Sequence, residues 1–236
     1  MRDIPILFSA PMVRAIQAGR KTQTRRIVKL PHNNPLGQWE PTTIGGENGG
    51  RTAAGETVPL QAAIWHTRTG DGMVSPHGQP GDRLWVRETT RSRLLQNQFT
   101  GEPTNALCGA YVADDEPVLN PDGFDLAWWY SRKTCPAIHM PRAACRIELE
   151  VTGVRVEQLN DCSFEDALAE GIPDYRQLLG DECINGETAD ECARRLRWPQ
   201  RQYAQLWDEI NGAGAWDTNP WVWVIEFRRL NQGDRP

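Results

Sequence analysis

The spacing of apolar and polar residues near the start of the chain predicts a short helix followed by an extended segment. In SAPMVRAIQAG (9–19), apolar side chains recur at helical spacing between Ser9, a suitable N-cap, and Gly19, which suits the left-handed position that ends a helix. The next residues, TQTRRIVKL (22–30), are rich in β-branched side chains and predict a strand.

The second half of the chain gives clearer signals. RIELEVTGVRVEQL (146–159) alternates in the manner of a hairpin or a bent strand. Three helices should follow. The first has a capping box at Ser163 and Asp166 and ends at Gly171, the second has one at Thr188 and Glu191, and the third covers PQRQYAQLWDEING (199–212). The closing segment, NPWVWVIEFRRL (219–230), predicts a strand whose apolar face carries Trp221, Trp223, Ile225 and Phe227.

The middle of the chain is less regular. Sixteen of the fifty-one residues in 31–81 are Gly or Pro, which predicts a loop-rich insertion with one hairpin near TVPLQAAIWH (57–66). CGAYVAD (108–114) and LAWWYS (126–131) predict two short strands. The sum is an α+β fold, with mostly antiparallel strands closing a small barrel and helices around it. We expect one domain over 1–230 and a tail over 231–236.

Composition narrows the class of protein. The 236 residues carry a formal net charge of −5, no apolar run of membrane-spanning length and no secretory signal, so we expect a cytoplasmic protein without a membrane partner. Cys135, His139 and Cys145 do not form the paired four-ligand pattern of a structural zinc site. We therefore expect no metal site and no cofactor, and the oligomeric state stays open.

One short stretch stands out against this acidic background. AGRKTQTRR (18–26) holds Arg20, Lys21, Arg25 and Arg26, with no acidic residue among them. Such a cluster is either a solvated basic face that contacts phosphates or a site at which crowded cations, together with partial burial, lower the pKa of the lysine.

A second candidate surface lies on the strand predicted in PGDRLWVRET (80–89). Strict alternation places Trp85 between Arg83 and Arg87 on one face, where the ring could stack on a nucleobase. Packing of the ring under arginine stems at a barrel rim is the competing interpretation. Glu88, at the end of the strand, is a carboxylate that could reach the same cleft as the basic cluster.

Four segments in this order resemble the ASCH family of the PUA-like superfamily. They are AIQAGRKTQTRR (15–26), PGDRLWVRET (80–89), the run from Arg146 to Ile172, and WVWVIEFRRL (221–230), together about a third of the chain. The long form is similar to versions carried by phages and prophages. The resemblance implies a PUA-like β-barrel with a cleft for RNA or a modified nucleoside.

Small bacterial members of that family hydrolyse N4-acetylcytidine to cytidine and acetate. The resemblance implies that Lys21 and Thr24 in GRKTQT take part in catalysis, with Glu170 in LAEG as the best match for the family's glutamate. Lys21 would be the base, Thr24 the nucleophile or a water-orienting hydroxyl, and Glu170 the proton shuttle. Glu170 would sit at a helix C-terminus, where the macrodipole disfavours negative charge, and this suits an acid/base role.

Two functions are therefore in play. The first is an amidohydrolase that removes an acyl group from an N4-acylated cytosine nucleoside or base. The alternative is a non-catalytic PUA-like module that binds RNA or DNA, with a possible phage role. Geometry sets a condition for the enzyme, because residues 21 and 24 of a regular strand face opposite sides and meet only if the chain bends or bulges.

Overall fold

The computed structural model describes residues 1–46, 54–97, 99–173, 179, 183 and 186–230, and it divides the chain into two compact units. Unit 1 takes the described residues of Met1–Gly19 and Gly81–Glu150 and those from Arg228 onward, and unit 2 takes those of Arg20–Pro80 and Val151–Phe227. The predicted single domain over 1–230 stays a prediction, and the predicted tail, 231–236, lies outside the described residues.

Most of the described strands follow one another in the first two thirds of the chain, and three of the four described α-helices lie together between β10 and β11. The strands are β1 (Asp3–Leu7), β2 (Gln23–Ile27), β3 (Trp39–Ile44), β4 (Gln61–His66), β5 (Gly72–Val74), β6 (Arg83–Arg87), β7 (Thr90–Gln96), β8 (Pro103–Tyr111), β9 (Thr134–Cys135), β10 (Glu148–Gln158) and β11 (Trp221–Arg229). The helices are α1 (Ala10–Gln17), α2 (Phe164–Ala169), α3 (Ala189–Leu196) and α4 (Trp198–Asn211), with 3-10 turns at Ala137–His139, Arg142–Ala144 and Leu159–Asp161.

Unit 1 contains two groups of strands. β1 pairs with β6 in parallel, and β6 pairs antiparallel with the first residues of β10. β7 lies between β8 and β9 and is antiparallel to both. A small core of Tyr111, Val118, Met140 and Ala144 packs beside these strands.

Unit 2 holds the remaining strands and three of the described helices. β2 pairs antiparallel with β11, which in turn neighbours the later part of β10. Helices α2 and α4 cover a core that includes Leu159, Ala167, Tyr203 and Trp207.

The α+β class and the mainly antiparallel pairing are confirmed, but the strands that the structure describes form no closed barrel. The loop-rich segment 31–81 contains more order than one hairpin, because β3, β4 and β5 form a three-stranded antiparallel sheet. The prediction of a strand at 126–131 is wrong, since the only β-bridge in this segment is an isolated one between Ala127 and Cys108. No helix among the described residues is long and apolar enough to cross a membrane.

The terminal strand also departs from its predicted pattern. Alternation predicts one apolar face, yet Val222 and Val224 are as fully buried as Trp223 and Ile225. A strand that packs on both sides has a continuous run of apolar residues. In this segment the continuous run was therefore a better indicator of burial than the alternation of the aromatic residues.

Candidate functional site

Lys21 and Glu170, separated by 149 residues in the chain, are brought together in unit 2. The Lys21 ammonium donates to Oε2 of Glu170 at 2.7 Å and to the Glu170 backbone carbonyl at 3.0 Å. The two residues also form an isolated antiparallel bridge, and Thr22 N donates to the carbonyl of Ala169. Backbone pairing between the start of β2 and the end of α2 therefore holds the two side chains in contact.

Local sequence explains why Glu170 stands where it does. Ser163 caps α2 and shares a reciprocal capping box with Asp166, so the helix begins at Phe164. Glu170 is its C-cap, and Gly171 leaves the helix at a φ of 93°, a left-handed conformation that suits glycine. The helix is only six residues long, and its end delivers Glu170 to the edge of β2.

The Lys21–Glu170 ion pair is almost completely removed from solvent. The exposed fractions of the two side chains are 0% and 3%. Burial lowers the pKa of Lys21 from its ordinary value, and the nearby charges of Arg26 and Arg25 act in the same direction, while Glu170 opposes them. The direction agrees with the expectation from crowded cations and partial burial, and burial is the largest cause.

Arg25 is a second cation on the same carboxylate. Its Nη1 donates to Oε1 of Glu170 at 3.1 Å, its Nε and Nη2 donate to Oε1 of Glu157, and Nη2 lies 3.3 Å from Oδ2 of Asp166. The side chain is fully buried and lies over the ring of Tyr203, 5.8 Å from its centroid. Burial works to lower the pKa of Arg25, but the surrounding anionic groups reverse this and raise it.

A ring of acidic and basic side chains surrounds this core. Arg155 donates to Oε2 of Glu157 at 2.9 Å, to Oδ1 of Asp166 at 2.6 Å and to Glu226. Burial alone would raise the pKa of Asp166, but the Ser163 hydroxyl and Arg25 lower it to about 2. The result is a chain of alternating charges that runs from half-exposed Arg155 inward to Lys21.

Thr24 stands apart from this chain of charges. Gln23 and Arg25 both reach residues of α2, so alternation along β2 directs Thr24 to the opposite face of the strand. Thr24 is buried, and no hydrogen bond among the described residues joins its hydroxyl to Lys21 or Glu170. Lys21 and Glu170 are therefore hydrogen-bonded to each other, and Thr24 is hydrogen-bonded to neither. β2 pairs with β11 in unbroken register from Gln23 to Ile27, so the strand shows no bulge that would bring residues 21 and 24 together.

Arg20 and Arg26 complete the basic segment in different ways. Arg20 is exposed, and its Nη1 donates to the Gly171 carbonyl at 3.2 Å. Burial lowers the pKa of Arg26, whereas Glu170 and Tyr203 raise it. The segment is thus not a uniform basic face, because Lys21 and Arg25 are turned inward.

The residues proposed for stacking lie in unit 1. The guanidinium carbons of Arg87 and Arg142 lie 5.2 and 5.7 Å from the centroid of the Trp85 ring, which is half-buried, as is Arg83. Glu88 is buried and accepts both arms of Arg146 at 2.8 Å, and burial raises its pKa. Between the two candidate carboxylates, Glu170 is the one that contacts Lys21.

Sequence reasoning missed Glu157, Arg155 and Tyr203, and it assigned Asp166 only a capping role. Arg155 and Glu157 are two residues apart on β10 and therefore share a face, so the sequence pattern could have indicated that the two side chains lie together. Nothing local marks Tyr203 as more than a helix core residue. The described residues contain no cluster of three or more His, Cys, Asp or Glu side chains able to hold a metal ion.

Comparisons with known proteins add no family assignment. No protein-family model, no curated protein and no solved structure matches the chain.

Proposed function

We propose that the protein is an amidohydrolase that acts on an N4-acylated cytosine nucleoside or base. The observation that carries the proposal is the buried contact between Lys21 and Glu170, a lysine with a lowered pKa held 2.7 Å from a carboxylate. A lysine in such surroundings is a suitable general base, because a lowered pKa increases its neutral fraction near pH 7.

The chemistry divides among the three predicted residues. A hydroxyl, from Thr24 or from a water that it orients, attacks the acyl carbon and passes its proton to neutral Lys21. The bond between the acyl carbon and N4 then breaks, and N4 takes a proton through Glu170. Water supplies the oxygen of the released carboxylic acid, so the products are the free cytosine amine and acetate.

The separation of Thr24 from the ion pair favours the second role. Thr24 lies on the face of β2 opposite Gln23 and Arg25, so its hydroxyl is poorly placed to lose its proton to Lys21, and we propose that the attacking hydroxyl comes from water. Of the two roles named for Thr24, this leaves the water-orienting one, which requires β2 to bend so that the hydroxyl reaches the face of Lys21. A covalent acetyl group on Thr24 after rapid quenching would show instead that Thr24 is the nucleophile.

The test is acetate release from N4-acetylcytidine. We expect turnover by the intact protein, its loss in Lys21→Ala and Glu170→Gln, and a strong reduction in Thr24→Val. Matched controls are Lys29→Ala and Thr22→Val, because both residues are exposed and lie in the same segment. Absence of turnover by the intact protein, in an assay where a small ASCH amidohydrolase is active, would refute the proposal.

We also propose the finer fold assignment, a PUA-like ASCH domain. Its support is the order of the four resembling segments and the mainly antiparallel strands with helices beside them. The buried position of Lys21 within GRKTQT agrees with a structural or catalytic use of that segment rather than a simple surface turn.

The alternative, a nucleic-acid-binding module, rests on a different observation. Trp85 lies in unit 1 with two guanidinium groups over its half-buried ring, which favours packing under arginine side chains, and a base could stack only on the part of the ring that stays exposed. The alternative predicts oligonucleotide binding that weakens steeply with salt and with Trp85→Ala or Arg87→Ala. Arg25 is a poor probe for this function, because its charge is already neutralised by buried carboxylates.

A further inference from the structure

The two oxygens of the Glu170 carboxylate are held by different cations. Oε2 accepts from Lys21 at 2.7 Å and Oε1 accepts from Arg25 at 3.1 Å. All three side chains are almost fully buried, so water does not compete for these bonds. Rotation of the carboxylate would break at least one of them, and Glu170 therefore presents a single orientation to Lys21.

The guanidinium of Arg25 is itself held from two elements. Glu157 on β10 accepts hydrogen bonds from Nε and Nη2 of Arg25, and Oδ2 of Asp166 on α2 lies 3.3 Å from Nη2. This leaves Nη1 for Glu170. Only a planar fork with five donors can meet three carboxylates in this manner, and a lysine at the same position could serve one or two of them.

We propose that Arg25 is a positioning residue of the candidate site, which fixes the orientation of the Glu170 carboxylate and shares its negative charge with Lys21. The inference rests on the proposed function for its activity readout. Nothing in the predicted roles of Lys21, Thr24 and Glu170 requires an arginine at this place.

The charge-sharing has a consequence for Lys21. The charged groups that act on it are Glu170, Arg26 and Arg25, and the carboxylates that act on Arg25 include Glu170 and Glu157. Removal of the Arg25 charge takes away one cation that lowers the pKa of Lys21 and leaves the Glu170 charge to Lys21 alone. Both effects raise the pKa of Lys21, and the neutral base becomes rarer at pH 7.

The activity test separates charge from geometry. In Arg25→Met we expect kcat to fall about 100-fold, as misplacement of a catalytic group does, with KM nearly unchanged because Arg25 is buried. The limb of the pH–rate profile that reports Lys21 should move up by about one pH unit. Arg25→Lys keeps the positive charge but loses the planar guanidinium with its five donors. In this variant kcat should therefore fall, while the limb that reports Lys21 should stay at the same pH. Arg201→Met, an exposed arginine of the same unit, should change neither quantity.

A second readout does not depend on activity. The chain has three lysines, Lys21, Lys29 and Lys133, so selective 13C labelling of lysine gives a spectrum that Lys29→Arg and Lys133→Arg assign completely. Lys21 should titrate at the lowest pH of the three. Arg25→Met should raise that titration by about one pH unit, and Arg201→Met should not.

The outcomes distinguish this inference from the proposed function. If no variant, nor the intact protein, releases acetate but the Lys21 titration shifts as expected, the proposed function fails and the positioning role of Arg25 stands. If acetate is released but Arg25→Lys retains full kcat, or if the Lys21 titration is unmoved in folded Arg25→Met, the positioning role is refuted. Should Arg25→Met not fold, kcat and KM of Arg25→Lys decide the question.

Discussion

The buried ion pair predicts an unusual pattern of stabilities when its partners are removed singly and together. Glu170→Gln leaves the Lys21 ammonium in a position with 0% exposure, without its carboxylate partner. Lone buried charges cost about 3–5 kcal/mol. The cost has a ceiling, because Lys21 can lose its proton, and deprotonation of an ordinary lysine at pH 7 costs about 5 kcal/mol.

Lys21→Met should be less harmful. Glu170 keeps the bond from Arg25 at 3.1 Å, and the methionine replaces most of the lysine's apolar stem. The loss includes the charge-assisted hydrogen bond to Oε2 of Glu170, about 1.5–3 kcal/mol, and the hydrogen bond to the Glu170 backbone carbonyl. In the double variant no lysine charge remains to be buried, and Arg25 keeps Glu157 and Asp166. Addition of Lys21→Met to Glu170→Gln should therefore restore stability rather than reduce it further.

Urea denaturation at pH 7, followed by tryptophan fluorescence, measures the four free energies of unfolding in this cycle. We expect a coupling energy of about 2–3 kcal/mol between residues 21 and 170. The matched control is the Arg194–Glu165 pair in the same unit, whose side chains are 58% and 67% exposed. Its cycle should give a coupling below about 1 kcal/mol. Additive losses at 21 and 170 would mean that the pair is not formed in solution, and the reasoning would fail.

Two further predictions concern stability. Burial, and secondarily Arg26, lowers the pKa of His77 from 6.5 to about 4. Between these two values, His77 binds more protons in the unfolded chain than in the folded one. The contribution of His77 to stability is therefore fully present above pH 6.5 and is lost as the pH falls toward 4. His77→Asn should make the urea midpoint less dependent on pH over this window. An unchanged pH dependence of the midpoint would contradict the assignment. Ser163→Ala removes one half of the α2 capping box and should cost about 1 kcal/mol of unfolding free energy, whereas an exposed serine outside any cap, Ser131→Ala, should cost almost nothing.

Helix boundaries were predictable because their causes are local. The capping boxes at Ser163 and Thr188 and the left-handed Gly19 act within a few residues, and all three occur in the structure. The 126–131 segment failed for the opposite reason. Its aromatics suit a strand, but strand formation needs a continuous partner, which one isolated bridge to Cys108 does not supply.

The candidate site was predictable only in part. Lys21 and Glu170 came from resemblance to a family, since no local signal joins residues so far apart in the chain. The two further carboxylates at Arg25, those of Glu157 and Asp166, came from neither source. Which acidic side chains meet a given arginine depends on how β10 and α2 pack, and a sequence shows these residues only as ordinary members of a polar face.

The concentration of base in residues 18–26 therefore has a different meaning in the fold than in the sequence. Read along the chain, four cations without an acid suggest a strong positive field toward solvent. In the fold, Arg25 and Lys21 meet Glu170, and Arg25 also meets Glu157 and Asp166, so their charges are largely cancelled inside unit 2. Attraction of phosphates by this segment would depend chiefly on exposed Arg20 and Lys29. Burial lowers the pKa of Lys21 against the opposing charge of Glu170, and a lysine with a lowered pKa suits base catalysis rather than phosphate binding.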